Sequence, residues 1–225
     1  MKLVHRFSWP MALPFLLGGS AFPGHLAAQN VKLNYPLAQE TRSGSVSDFL
    51  FTQDGTRVVY RADREEDLRF ELFSRPLDGS GPSLKLNGPL HPQGDVGVNG
   101  NIQGSFAIGA NDRVVYVADE TVENVSELFS VPADGSASRV RLSAAGVNVF
   151  PFKLTPAKTH VLYENGSVFT YGLGPLFVVP IDGSAAPIDL TPGLIIRRFW
   201  ISPDGATTVF SADPTPPGDE ELYAV

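Results

Sequence analysis

Carboxylates recur at one place in this sequence. Asp63, Asp119 and Asp213 each follow an alanine that closes a mostly apolar run. Two of them open loops with further acids, Glu65 and Glu66 after Asp63 and Glu120 after Asp119. Brought together, such side chains attract a cation or a basic partner. Taken singly, an Asp after a strand hydrogen-bonds its own turn, so both readings stand. No Asp-x-Asp-x-Asp-Gly calcium loop is present. Arg197-Arg198 beside Phe199-Trp200 is a second candidate, for anion binding or a cation–π contact, set against a strand residue packing between sheets.

Catalytic equipment is sparse. The chain has no Cys, which removes thiolate nucleophiles, thiolate zinc sites and disulfides. Gly-x-Ser-x-Gly and Gly-x-x-x-x-Gly-Lys are both absent. Outside the N-terminal segment only His91 and His160 remain, one beside Pro92 and one opening an apolar run. Paired acids of the glycosidase kind need only spatial proximity, and nothing in the sequence pairs them. We therefore expect a non-catalytic protein with no cofactor and no metal. A formal charge of −7 also argues against nucleic-acid binding, which needs a net basic face.

The elements that hold these residues are written four times. Phe49, Phe106, Phe152 and Phe199 mark a first strand, at spacings of 57, 46 and 47 residues. Each leads to a second strand: Val58-Val59-Tyr60, Val114-Val115-Tyr116, Val161-Leu162-Tyr163 and Thr208-Val209-Phe210. A third follows at Glu71-Leu72-Phe73, Glu127-Leu128-Phe129, Pro175-Leu176-Phe177 and Glu221-Leu222-Tyr223. Asp-Gly-Ser then turns the first three units into short fourth strands at residues 84–86, 140–142 and 188–190. Asp-Gly between apolar runs is a hairpin signal, expected here with both turn residues at positive φ. Four-stranded antiparallel units of this length are β-propeller blades, so the fold class is all-β.

The pattern Phe-x-Ile-Ser-Pro-Asp-Gly, Val-Val-Tyr, Glu-Leu-Phe-Ser-Val-Pro-x-Asp-Gly-Ser resembles the TolB-like β-propeller family, over residues 31–225. The resemblance implies a fold rather than a function; a protein or cell-envelope partner is expected from a variable acidic face without catalytic equipment, and nothing here resembles the separate N-terminal domain of TolB. About four blades are expected, with units starting near residues 48, 105, 151 and 198. Residues 31–37 read like residues 84–90, a fourth strand, and would complete the last unit to close a four-bladed ring. The other reading is part of a six- to eight-bladed ring, including a propeller fragment of a larger secreted hydrolase or peptidase. In either, first-to-second and third-to-fourth turns share one rim. The second-to-third and fourth-to-first loops share the other, where lengths vary and binding is expected.

Residues 1–28 read as a signal peptide. Lys2, His5 and Arg6 precede a mostly apolar run from Phe7 to Gly19, then small residues to a cut after Ala28. Removing it lowers the basic residues from 17 to 15 against 24 acids, a net charge of −9. The expected protein, residues 29–225, is periplasmic or secreted, without a membrane span once the leader is gone.

Overall fold

The computed structural model describes residues 31–34, 44–97, 104–166, 174–214 and 218–225. The expected leader and its Ala28 cut lie outside them, as do residues 35–37 of the expected closing strand. The described residues form antiparallel sheets in which each strand lies beside the next in sequence. Sheet one holds β1 (Val46–Phe51), β2 (Arg57–Ala62), β3 (Glu71–Pro76) and β4 (Leu84–Lys85). Sheet two holds β5 (Phe106–Ile108), β6 (Arg113–Ala118), β7 (Glu127–Pro132) and β8 (Val140–Arg141). Sheet three holds β9 (Val149–Leu154), β10 (His160–Asn165), β11 (Leu176–Pro180) and β12 (Ile188–Asp189). Sheet four holds β13 (Ile196–Ile201), β14 (Thr208–Ala212) and β15 (Glu221–Ala224). These are the blades expected from the repeats. Among the described residues no helix is long and apolar enough to cross a membrane.

Two local details differ from the expectation. The first strands of sheets one, three and four begin three residues before their marker Phe, and a bulge breaks the register at that end. The bulge adds a residue and twist, so pairing extends past the apolar marker. In the Asp-Gly turns only glycine has positive φ, +73° at Gly79, +70° at Gly135 and +71° at Gly183. Each Gly N–H bonds back to the Pro at the end of the third strand, and the preceding Asp accepts from the Ser two residues on. This is a type I turn followed by a left-handed glycine, the next commonest hairpin after the two-residue form.

Packing follows the strand period of two. One face of each blade carries a cross-strand aromatic pair at 5.5–5.6 Å: Tyr60–Phe73, Tyr116–Phe129, Tyr163–Phe177 and Phe210–Tyr223. The opposite face of the preceding blade packs on it. Val59, Leu72 and Leu86 meet Phe106, Tyr116 and Phe129 between blades one and two. Leu128 and Leu142 meet Val161 and Tyr163 between blades two and three. Leu162 and Leu176 meet Phe199 and Phe210 between blades three and four. Each fully buried side chain of this size is worth about 1.5–3 kcal/mol. The stability therefore resides between sheets, and the loops are carried on them.

Candidate functional site

The two rims differ in how they are held. On the turn rim, adjacent blades are stitched together. Gln53 Nε2 donates to Gly109 O at 2.6 Å, and Ala110 N donates to Lys158 O at 2.8 Å. Arg113 Nε reaches both Ser130 Oγ and Ile181 O, at 2.8 and 3.2 Å. The turn aspartates on this rim accept from their own turns.

On the loop rim, four of the six candidate acids turn inward. Asp63 is buried, and its Oδ1 accepts from the Ser45 N–H. Asp119 Oδ1 accepts from Ser126 Oγ at 2.7 Å, while its backbone bonds to Asp95 O and His91 N. Burial pushes the Asp119 carboxyl above its ordinary range, against hydrogen bonds from Ser126 and Asn124, and the neighbouring Asp95 adds to the rise. Asp213 Oδ2 accepts from Gly218 N at 2.8 Å. Glu120 accepts from Gly88 N at 2.8 Å and Tyr116 Oη at 3.1 Å, and Arg139 closes on it at 2.5 Å. Asp119 and Asp213 thus fold their own loops, while Asp63 and Glu120 tie theirs to other segments. Among the described residues no three His, Asp or Glu side chains gather closely enough to hold a metal ion.

Glu65 and Glu66 are different. They sit in the β2–β3 loop with half-exposed side chains, paired at 2.9 Å with Lys85 and Arg69. Between them and β3 stands Leu68, 53% exposed with φ +65°. The same step of the β6–β7 loop is taken by Asn124 at φ +58°. Asn tolerates the left-handed region, whereas a bulky residue there is strained. Strain of this kind collects at ligand contacts, and it marks the tip of this loop. No composition signal singles out Leu68. Only its place opposite Asn124 in the repeat does.

Several charges outside the loop acids escaped the loop-based reading. Arg61 is fully buried, with Nε on Val96 O at 2.5 Å, Nη1 on Ser47 Oγ at 2.9 Å and its guanidinium 4.1 Å from the Phe70 ring. Asp95, raised by burial, lies near it and accepts from Phe70 N at 2.6 Å. Glu164 occupies the position in β10 that Arg61 has in β2, and burial pushes its carboxyl up to about 8. A charge inside Val-Val-Tyr-Arg or Val-Leu-Tyr-Glu was the available signal.

The second candidate resolves differently. Arg197 and Arg198 lie within β13 and face Glu220 at 4.0 and 3.5 Å. Trp200 takes its cation from Lys153, 4.8 Å from its ring, and is 57% exposed.

No family model matches the chain, and no curated protein matches it. Among solved structures it is similar to a TolB-type structure from Agrobacterium tumefaciens, at 16% identity and TM-score 0.47, over 79% of this chain and 60% of that one. It is similar to TolB from Acinetobacter baumannii at 13% identity and TM-score 0.45, over 78% of this chain and 39% of that one. A prolyl endopeptidase structure gives 15% identity and TM-score 0.44, over 78% of this chain and 26% of that one. The chain thus spans 60% or less of the length of these structures. The repeats and the sheet order described above carry the fold assignment: the chain is built of β-propeller blades.

Proposed function

We propose that this is an exported, non-catalytic propeller that binds a protein or cell-envelope component through its loop rim. The observation that carries the reading is the β2–β3 loop tip. It holds exposed Leu68 in a left-handed conformation between the outward carboxylates of Glu65 and Glu66 and the start of β3. An apolar residue held at a conformational cost, and ringed by charge, is the arrangement of a contact point with a polar rim. The opposite rim is made of short turns whose aspartates bond their own backbone. Export rests on the leader expected over residues 1–28.

The test is chemical cross-linking in the producing cell's envelope fraction, with the bound component identified by mass. Wild-type chain is expected to capture one component reproducibly. Leu68→Asn and Glu65→Lys/Glu66→Lys variants should lose it while melting no earlier. Equal capture by these variants would refute the loop as the contact.

A further inference from the structure

Blade two fills the groove between itself and blade one with its own side chains. Glu120, from the β6–β7 loop, accepts from Tyr116 Oη at 3.1 Å and from Gly88 N of blade one at 2.8 Å. Arg139, just before β8, closes on that carboxylate at 2.5 Å, its guanidinium 5.6 Å from the Phe129 ring. Two long side chains thus occupy the space beside the Tyr116–Phe129 pair.

The same place between blades two and three has neither of them. Tyr163 and Phe177 form the cross-strand pair there. Ala144 stands where Gly88 stands, two residues after the leucine whose N–H bonds the third strand. Pro187 precedes β12 as Arg139 precedes β8. No Asp or Glu lies between Asn165 and Leu176 in the sequence, so the β10–β11 loop has no counterpart of Glu120. Ala144 carries a Cβ that on Gly88 would strike the Arg139 guanidinium, as suits a groove without an arginine. A cavity of about 550 Å³ remains, with Arg141, Ala144, Tyr163, Phe177, Val179 and Ala186 in its lining.

This cavity repeats the donors of blade two without their acceptor. Tyr163 is buried, and its hydroxyl has no partner among the described residues. Burial pushes the phenol up to about 12, so it stays protonated and able to donate. The Ala144 N–H likewise has no partner among the described residues. Arg141 adds positive charge. Its side chain is 40% exposed and 3.4 Å from Glu127, which already accepts from Gly146 N at 2.8 Å and Thr121 Oγ1 at 2.7 Å. Phe177 and Val179 supply apolar surface. The volume falls in the range of small-molecule sites, and a carboxylate group alone would leave most of it empty.

We propose that the cavity between blades two and three binds a small organic acid with an apolar body. Tyr163 Oη and the Ala144 N–H take its carboxylate as Tyr116 and Gly88 take Glu120, with Arg141 as counter-ion and the body against Phe177 and Val179. The site does not involve the β2–β3 loop, and it stands independently of the binding reading above.

Titration calorimetry of the full chain with 3-phenylpropionate tests this, with the neutral 3-phenylpropanamide as control. Wild-type chain should bind the acid at one site and the amide at least tenfold more weakly. Tyr163→Phe keeps the ring and removes the donor, so it should bind the acid about tenfold more weakly. Ala186→Trp, at an exposed position, should fill the cavity and abolish binding. Thermal melts of both variants should match wild type, which separates a lost site from a lost fold. No binding of the acid by wild type, equal binding of acid and amide, or wild-type affinity in either variant would each overturn the proposal.

Discussion

Arg139 Nε donates to Glu120 Oε2 at 2.7 Å, and this ion pair ties the β6–β7 loop to the approach to β8. Glu120 also holds Gly88 of blade one and the Tyr116 hydroxyl, so one carboxylate joins two blades and a loop. Burial, with Glu120 second, pushes the Tyr116 phenol well up, keeping it a donor. A Cβ on Gly88 would run into the Arg139 guanidinium and displace it. Removing the carboxylate leaves a buried N–H, a buried hydroxyl and a cation without their acceptor. Glu120→Ala should cost about 3 kcal/mol in urea unfolding. Arg139→Ala should cost less, about 1–2 kcal/mol, because its side chain is a third exposed and water can replace it.

Glu164 should make the protein less stable as pH rises through neutrality. Burial lifts its folded pKa to about 8 from an ordinary 4.5, against the pull of Lys153. Between those values the folded state holds a proton the unfolded state has released, so stability falls as pH rises from about 4.5 to about 8 and is level above. Asp95 and Asp119 shift the same way. Glu164→Gln should flatten most of the slope and raise the melting temperature at pH 8–9 relative to wild type. A wild-type melting temperature independent of pH from 5 to 9 would contradict this.

The blades were legible because their signals are local: a marker Phe, a Val-Val-Tyr run and an Asp-Gly-Ser turn each act within ten residues. The fate of the loop acids was not. Glu65 and Glu120 look alike in sequence, yet Glu120 faces inward because Gly88 and Arg139 on two other elements receive it. Asp119 and Asp213 sit at their repeat position for a local reason, a loop that needs an acceptor, whereas Asp63 at the same position receives Ser45 from before β1. The bulges before Phe49, Phe152 and Phe199 hid the true strand starts, since a bulge breaks the alternation that pattern reading relies on.

Leu68 and Lys158 test strain at the two rims. Both have left-handed φ, +65° and +58°, and at Lys158's turn position blades one and four have Gly55 and Gly205. Replacing either with a residue at ease there should stabilise the fold by about 1 kcal/mol. Lys158→Gly should do so with partner capture unchanged, because it lies on the stitched rim. Leu68→Asn should gain similar stability and lose capture. Parallel thermal melts and cross-linking on the two variants separate a functional strain from an incidental one.

Leu128 and Leu222 hold the same place in their blades and should respond to truncation in opposite ways. Leu128 is fully buried between blades two and three, so Leu128→Ala should cost about 3 kcal/mol at any protein concentration. For a domain of this size that is roughly 6–12 °C in melting temperature. Leu222 is 76% exposed, so Leu222→Ala should be near neutral. Thermal melts of the two variants beside wild type read this directly. If Leu222→Ala costs as much as Leu128→Ala, the Leu222 side chain is covered in the folded protein, and its face is part of a packed interface between blades rather than a free surface.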